Sequence, residues 1–480
     1  MTQTQLYIDG KWTGAKSGEK VDVINPATEE PIEAVDFGGR EEAANALEAA
    51  SRAFKTWRKL TAWQRGAYLR KIADLMRERA DDIALTMTLE QGKPLAESKG
   101  EVMASAGNFE WFGEEAKRIE GRWAPTIIPG KRYLTMKHPV GVCAAISPWN
   151  FPILLQARKI APALAAGCTV VCRPSQQTPL CLIKVFECFE DAGLPPGVAN
   201  LVMGDPRKIV DEFMENPICQ KISFTGSTEV GKELMRRAAD GVKRISLELG
   251  GHAPVLIFED ADPEQAAKVC VAGKFRNNGQ VCISPTRFYV HENLRKDFTE
   301  AAVEFAKNLK LGNGTEAGVE VGPMFEEKAM GKTQQLIDQA VSVGANILTG
   351  GGRSSQFDKG YFFEPTVLDN VTRQAEIMTE EPFAPVMPIL PFKQFDEAIE
   401  EANDNIYGLA AYVLTNDLTT AIRAAEELEA GIISINDPVP ASPQSPFGGM
   451  KQSGIGRESS HEGIEPYLEV KAVSFLLKED

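Results

Sequence analysis

Apolar residues behind Thr61 recur every three or four positions, with Leu69, Ile72, Leu75 and Met76 on one face. This spacing predicts an amphipathic helix with Thr61 as its side-chain cap. The pattern stops at Gln91-Gly92-Lys93-Pro94, where glycine and then proline end a helix. The first third of the chain therefore reads as mostly helical. From about residue 140 the rhythm changes. Short β-prone runs at 142–146, 169–172, 199–203, 221–224 and 244–247 alternate with helical stretches such as 179–192 and 227–238. Alternation of this kind implies βαβ units and a parallel sheet. The same style resumes between 254 and 435, which reads as a second α/β unit. Residues 127–136 and 467–477 look like strands outside the alternation, suited to an arm or tail that pairs with another subunit. Gly350-Gly351-Gly352-Arg353-Ser354-Ser355 reads as a surface loop.

Length and charge narrow the field. A chain of 480 residues makes two or three domains and needs no disulfide or metal staple. The net charge of −15 argues against nonspecific nucleic-acid binding and against an anionic membrane surface. The first five residues carry neither the basic region nor the apolar run of a signal peptide. No apolar stretch reaches the roughly 18 residues that span a bilayer; the run at 153–171 is broken by Gln156, Arg158 and Lys159. Eight scattered cysteines with no CxxC pair point to a reducing, cytoplasmic setting rather than a disulfide framework. The four histidines sit at no zinc-ligand spacing, so no metal site is expected. The same scarcity argues against a Cys–His or Ser–His hydrolase; His252 reads as structural.

Four segments carry candidate chemistry. Cys282 lies in the polar stretch Phe275-Arg276-Asn277-Asn278-Gly279-Gln280-Val281-Cys282, and a thiol there is either a nucleophile or a structural residue. Glu248 closes a β-prone run before Gly250 and Gly251, which are expected to turn the chain. It is either a general base or a solvated strand-end carboxylate. Asn150, in Ser147-Pro148-Trp149-Asn150-Phe151-Pro152, offers N–H groups to an oxyanion, or simply forms a turn. Phe224-Thr225-Gly226-Ser227 runs from a strand into a capped helix start, a place that suits a phosphate or is an ordinary βα junction. No GxGxxG and no GxxxxGK[ST] loop is present.

Together these segments resemble the aldehyde dehydrogenase superfamily over essentially the whole chain. The resemblance rests on Pro148-Trp149-Asn150-Phe151-Pro152, Phe224-Thr225-Gly226-Ser227, Glu248-Leu249-Gly250-Gly251, Gly279-Gln280-Val281-Cys282, Glu381-Pro382-Phe383 and Pro446-Phe447-Gly448-Gly449. It implies an α/β fold with a Rossmann-like cofactor domain from 1–118 and 139–250. A catalytic domain is implied over 251–461, with a small β oligomerisation element from 119–138 and 462–480 in a homodimer or homotetramer. It implies Cys282 as nucleophile, Glu248 as base for thioester hydrolysis and Asn150 as oxyanion donor. NAD or NADP would lie against Trp149, Arg173, Ser175, Gln176, Gly204, Gly226, Ser227, Glu381 and Phe383. Many relatives carry lysine and glutamate where this chain has Arg173 and Gln176, a change that admits a 2′-phosphate. Many also carry glycine at Ala384, a departure from which little is expected. Arg158, Arg276 and Ser442 match positions that hold a distal carboxylate in succinate-semialdehyde dehydrogenases, and 275–288 is similar to 2-oxoglutarate-semialdehyde dehydrogenases. The expected substrate is thus a short aldehyde ending in an acid group. Another anionic aldehyde such as sulfolactaldehyde, a cofactor-free esterase-like activity, and a non-catalytic binding or structural role are the alternatives.

Overall fold

The structure is a computed structural model and describes residues 3–477. Residues 1–2 and 478–480, the ends of the expected cofactor region and tail, lie outside the described residues. Five parallel strands form the centre of the first sheet. In spatial order they are Ala199–Leu201, Thr169–Arg173, Val142–Ile146, Cys219–Thr225 and Arg244–Glu248. All five residues of Val142–Ile146 are buried, because helices cover both faces of a parallel sheet, so the strand is apolar without alternation. The strand order reverses between Val142–Ile146 and its neighbour Cys219–Thr225. The crevice beyond the carboxyl ends of strands at such a reversal is where open α/β sheets bind ligands. Ser147–Asn150 and Gly226–Ser227 follow these two strands directly.

A second sheet has the order Asn346–Thr349, Thr366–Asp369, Val386–Phe392, Pro285–His291, Ala253–Ile257, Ala410–Leu414 and Ile432–Ile435. All its pairings are parallel except the outermost one at Asn346–Thr349. A third, smaller sheet pairs Lys131–Pro139 with Leu468–Leu476 antiparallel along nine residue pairs, with Trp123–Ala124 on its other edge. Trp123, Ile128, Met136, Val470 and Leu476 are exposed on or beside it.

The helix behind Thr61 spans Ala62–Glu78, and the Thr61 hydroxyl accepts from Gln64 N. The next helix, Ala80–Gln91, ends on Gly92 at φ +97°, a left-handed residue that glycine adopts without strain. The five sheet strands lie within a residue or two of their expected ends. The opening of the chain differs from its mostly helical reading. Four short strands, Leu6–Ile8, Lys11–Thr13, Lys20–Ile24 and Pro31–Asp36, precede the first helix, Arg40–Trp57. Three-residue strands are too brief to show a period, but Asp9-Gly10 is a hairpin signal, and both residues take positive φ. The expected strand at 127–136 begins only at Lys131, because Pro129-Gly130 makes a turn with Gly130 at φ +73°. Residues 350–355 form an irregular connection, as expected.

Candidate active site

Trp149, Asn150, Gly226, Ser227, Cys282, Glu381 and Phe383 line one cleft of about 250 Å³ at the strand-order reversal. Cys282 is half-buried. It is delivered by an unusual backbone: Asn277, Asn278 and Gly279 follow one another at φ +46°, +54° and +72°. Asparagine tolerates the left-handed region better than most residues. Here its side chains also brace the turn, Asn277 Nδ2 donating to the Asn150 carbonyl at 3.1 Å and Asn278 Nδ2 to the Gly322 carbonyl at 3.0 Å. Burial pushes the Cys282 thiol up to about 12; Glu381 adds to this and Arg158 opposes it. The resting residue is therefore a thiol, and its reactive fraction grows with pH.

Asn150 is buried, and its Nδ2 donates to the Gln280 carbonyl at 3.0 Å, which leaves a second N–H free. Glu248 is buried at the end of its strand, and its Oε2 has no hydrogen-bond partner among the described residues. Burial holds its carboxyl well above the usual carboxylate range; Glu458 adds to the shift, while Lys159, Arg158 and Arg457 oppose it. Gly250 and Gly251 do not serve as the turn-forcing pair expected from sequence, since neither takes a positive φ. They make room. A Cβ on Gly250 would lie 2.7 Å from Glu381 Oε2, and one on Gly251 would lie 2.4 Å from the Cys282 carbonyl oxygen. Gly448 does the same for Glu248: a Cβ there would lie 2.8 Å from Glu248 Oε1 and 2.7 Å from the Gly456 carbonyl oxygen. Gly448→Ala is expected to shift the carboxylate and lower kcat by about 100-fold. Steady-state rates compared with a melting curve check this, since an effect on rate without a matching loss of folded protein locates the damage at the carboxylate.

Of the expected cofactor residues, Trp149, Gly226, Ser227, Glu381 and Phe383 line the cleft, and Arg173, Ser175, Gln176 and Gly204 are not among its lining. Ser227 caps helix Thr228–Ala238, its Oγ accepting from Val230 N at 3.4 Å, and Gly226 N donates to the Glu248 carbonyl at 3.0 Å. Trp149 stacks on Phe325 at 4.0 Å and meets the edge of Phe383 at 5.8 Å. Phe383 itself has φ +46°. Burial pushes Glu381 up to about 7, against a hydrogen bond from Gly251 N at 3.2 Å. At the far end, Arg173 Nε and Gln176 Oε1 are buried and have no partner among the described residues. Burial lowers the Arg173 guanidinium to about 10, opposed by Asp205. Ser175 Oγ accepts from Gln177 N at 3.2 Å. Gly204 lies against Gly38, whose carbonyl oxygen would be 1.9 Å from an added Cβ, so its glycine follows from close backbone packing.

Of the three expected substrate residues, Arg158 is close enough to Cys282 to act on its thiol, and Arg276 lies against the same apolar cluster. Arg158 is buried with its guanidinium carbon 3.9 Å over the Phe447 ring, and that of Arg276 is 5.1 Å over the Phe151 ring. Both rings belong to the apolar cluster that packs against Cys282. Neither arginine makes an ion pair or a side-chain hydrogen bond among the described residues, and Arg158 Nε is buried without a partner. Ser442 is exposed in the loop before Phe447, with its carbonyl accepting from Ser445 N at 3.2 Å. His252 is buried, its Nδ1 2.8 Å from Thr286 Oγ1.

Residues 12–473 match the aldehyde dehydrogenase family. The chain belongs to that family. This aldehyde dehydrogenase is 46% identical to the glutarate-semialdehyde dehydrogenase of Pseudomonas aeruginosa over 467 residues, 97% of this chain and 96% of that one. It is 44% identical to the NADP(+) succinate-semialdehyde dehydrogenase of Escherichia coli, over 97% of this chain and 96% of the relative. Its identity to the 3-sulfolactaldehyde dehydrogenase of Pseudomonas putida is also 44%, over 98% of this chain and 97% of the relative. Among solved structures, succinate-semialdehyde dehydrogenase from Burkholderia pseudomallei superposes with a TM-score of 0.97 at 44% identity, covering 99% of this chain and 98% of the other. Betaine aldehyde dehydrogenase from Staphylococcus aureus in complex with NAD+ gives 0.97 at 40% identity, covering 100% and 96%.

Several residues of the aldehyde dehydrogenase site escape a reading of the sequence. Lys93 and Glu101 form a buried ion pair at 2.6 Å, and Lys159 donates to Thr225 Oγ1 at 2.6 Å and to Glu458 Oε1 at 2.5 Å. A lysine inside an apolar helix, as Lys159 is in Leu154–Ala166, is a sign of a buried partner, but the sequence does not name it. Among the described residues no helix is long and apolar enough to cross a membrane, and no group of three or more His, Cys, Asp or Glu is arranged to hold a metal ion.

Proposed function

We propose that this enzyme oxidises a short aldehyde bearing a terminal acid group, with NAD or NADP as acceptor. The observation that carries the substrate class is the pair Arg158 and Arg276. A buried guanidinium without a partner is costly unless a ligand supplies the charge. Arg158 is such a cation, and Arg276, half-buried and without an ion pair among the described residues, lies against the same apolar cluster; together they suit an anionic substrate group, which arginine grips bidentately. Ser442 would add a hydroxyl on closing of its loop. Succinate, glutarate and 2-oxoglutarate semialdehydes fit this chemistry. A sulfonate fits it too, and the likeness to a sulfolactaldehyde dehydrogenase favours keeping that substrate in any panel.

Cys282 gives up its thiol proton to water, and the resulting thiolate Sγ attacks the aldehyde carbon, forming the C–S bond as the C=O π bond breaks onto oxygen. The oxygen that gains charge takes the free Asn150 N–H and the backbone N–H of Cys282. Once oxidised, the acyl group is a thioester on Cys282. Glu248 takes a proton from water, whose oxygen bonds to the acyl carbon as the C–S bond breaks, and the acid leaves. The residues fit the cofactor. Gly226 and Ser227 at a helix start would hold its pyrophosphate, with Glu381 at the nicotinamide ribose. The unpartnered Arg173 Nε and Gln176 Oε1, with Ser175 and Gly204, would meet the adenosine ribose. The nicotinamide supplies the hydride acceptor when bound, beside Phe383 and Trp149. With no carboxylate at Gln176 to repel it, a 2′-phosphate is tolerated beside Arg173. The organisation that goes with this reading is a cofactor domain from 1–118 and 139–250 and a catalytic domain from 251–461. The sheet built from 119–138 and 462–480 would join cytoplasmic subunits into a homo-oligomer.

The test is reduced-cofactor formation with succinate, glutarate and 2-oxoglutarate semialdehydes, sulfolactaldehyde and an uncharged aldehyde of similar length, each with NAD and NADP. A preference of about 100-fold or more in kcat/KM for the anionic aldehydes is expected, equivalent to about 2.7 kcal/mol. Arg276→Met and Arg158→Met should each remove most of it while sparing the uncharged aldehyde. Equal rates for charged and uncharged aldehydes would make the two arginines structural.

A further inference from the structure

Lys93 is a lysine almost wholly buried, 1% exposed, in the turn that leads into helix Leu95–Glu115. Its Nζ donates to Glu101 Oε2 at 2.6 Å and to the backbone carbonyl of Asn150 at 2.7 Å. It also lies 3.9 Å over the ring of Phe151. The other carboxylate oxygen, Glu101 Oε1, accepts from Ile153 N at 3.0 Å and from Leu154 N at 3.1 Å, at the start of helix Leu154–Ala166. The backbone from Asn150 to Leu154 is thus held at both ends by one ion pair. The same Asn150 carbonyl accepts from Asn277 Nδ2 at 3.1 Å, and Asn277 N donates to Glu97 Oε2 at 2.9 Å. Helix Leu95–Glu115 therefore grips both the loop that carries Asn150 and the turn that delivers Cys282.

A buried ion pair adds little net stability, and two apolar side chains of similar volume serve as well for packing. What the pair supplies is direction. The Asn150 side chain can aim its free N–H at an oxyanion only if its own backbone is fixed, and a displacement of about 1 Å at such a donor costs about 100-fold in rate. We propose that Lys93 and Glu101 are positioning residues that set the geometry of the Asn150 oxyanion donor relative to Cys282. The inference rests on the role given to Asn150 above, and neither residue touches the substrate.

Lys93→Met alone leaves Glu101 buried without a partner and is a poor test, so the key variant is Lys93→Met/Glu101→Leu, which removes both charges together. Three rates are compared with those of the parent protein: oxidation of succinate semialdehyde, hydrolysis of p-nitrophenyl acetate, and alkylation of Cys282 by iodoacetamide. The first two pass through an oxyanion, and ester hydrolysis needs no cofactor. Alkylation displaces iodide and forms no oxyanion. In the double variant, kcat for oxidation and for ester hydrolysis is expected to fall about 100-fold, with KM changed by less than about threefold and alkylation by less than about twofold. Full turnover by a folded double variant would overturn the proposal, as would alkylation falling in step with turnover, which would mean general distortion of the site. A parent protein that hydrolyses the ester but oxidises no aldehyde would sink the functional reading, and the ester rates would still decide the role of Lys93.

Discussion

Cys282→Ser is expected to lower kcat/KM for aldehyde oxidation by about 10⁴-fold or more while leaving the affinity for NAD(P) within about twofold. The reason lies in the protonation of the residue. Burial already pushes the thiol to about 12, with Glu381 adding to the shift. An alcohol starts several units higher and in the same pocket stays protonated throughout the working range. No histidine is among the residues that line the cleft to take its proton. The cofactor path proposed through Ser227, Glu381 and Phe383 does not use the sulfur, so binding is expected to survive. Calorimetry of NAD(P) binding together with steady-state rates separates the two effects. A serine enzyme with a tenth of the parent activity would show that Cys282 is not the nucleophile.

Glu248→Gln should behave differently. Attack by Cys282 needs no base at this position, so a single burst of reduced cofactor per active site is expected at nearly the parent rate. Turnover after the burst should fall about 10³-fold, because the thioester waits for water without a base. Adding a small thiol as acyl acceptor should restore part of the turnover. In the parent enzyme the carboxyl is held above its usual range by burial and by Glu458. Only the ionised form accepts a proton, so steady-state turnover should drop as pH falls through that raised value and recover as pH rises. The glutamine variant should lose this limb. Stopped-flow absorbance at the reduced-cofactor band, run across pH, reads both. A variant with neither burst nor turnover would place Glu248 before acyl transfer instead of after it.

The parts of this molecule that are legible in its sequence are those whose cause is local. The strand Val142–Ile146 announces itself because both faces are buried, and helix Ala62–Glu78 because its cap, Thr61, and its apolar face obey fixed spacings. Cys282, Glu248 and Asn150 are picked out by the motifs around them; Asn150 and Cys282 line one cleft, and Glu248 is buried at the end of the strand that leads into its wall at Leu249 and Gly250. What stayed hidden is set by distant contact. Gly250 and Gly251 read as a turn, yet their small size answers to Glu381 and to the Cys282 carbonyl. Lys93 reads as part of a helix ending, yet it reaches Asn150, 57 positions away. The first two strands before Arg40 have three residues each, too few to show a period, although Asp9-Gly10 marks the hairpin between them.

The braces of the site also bear on when activity appears during folding. Lys159 meets Glu458 across 299 positions, and Asn150 meets Gln280 across 130. Pairings this far apart close slowly, because long loops must be organised before such contacts form. A chain that has already built either large sheet still holds Cys282 as an ordinary thiol, with no oriented amide and no base nearby. Reactivity toward aldehydes is therefore a property of the finished topology alone, and neither half of the chain, folded by itself, would carry it.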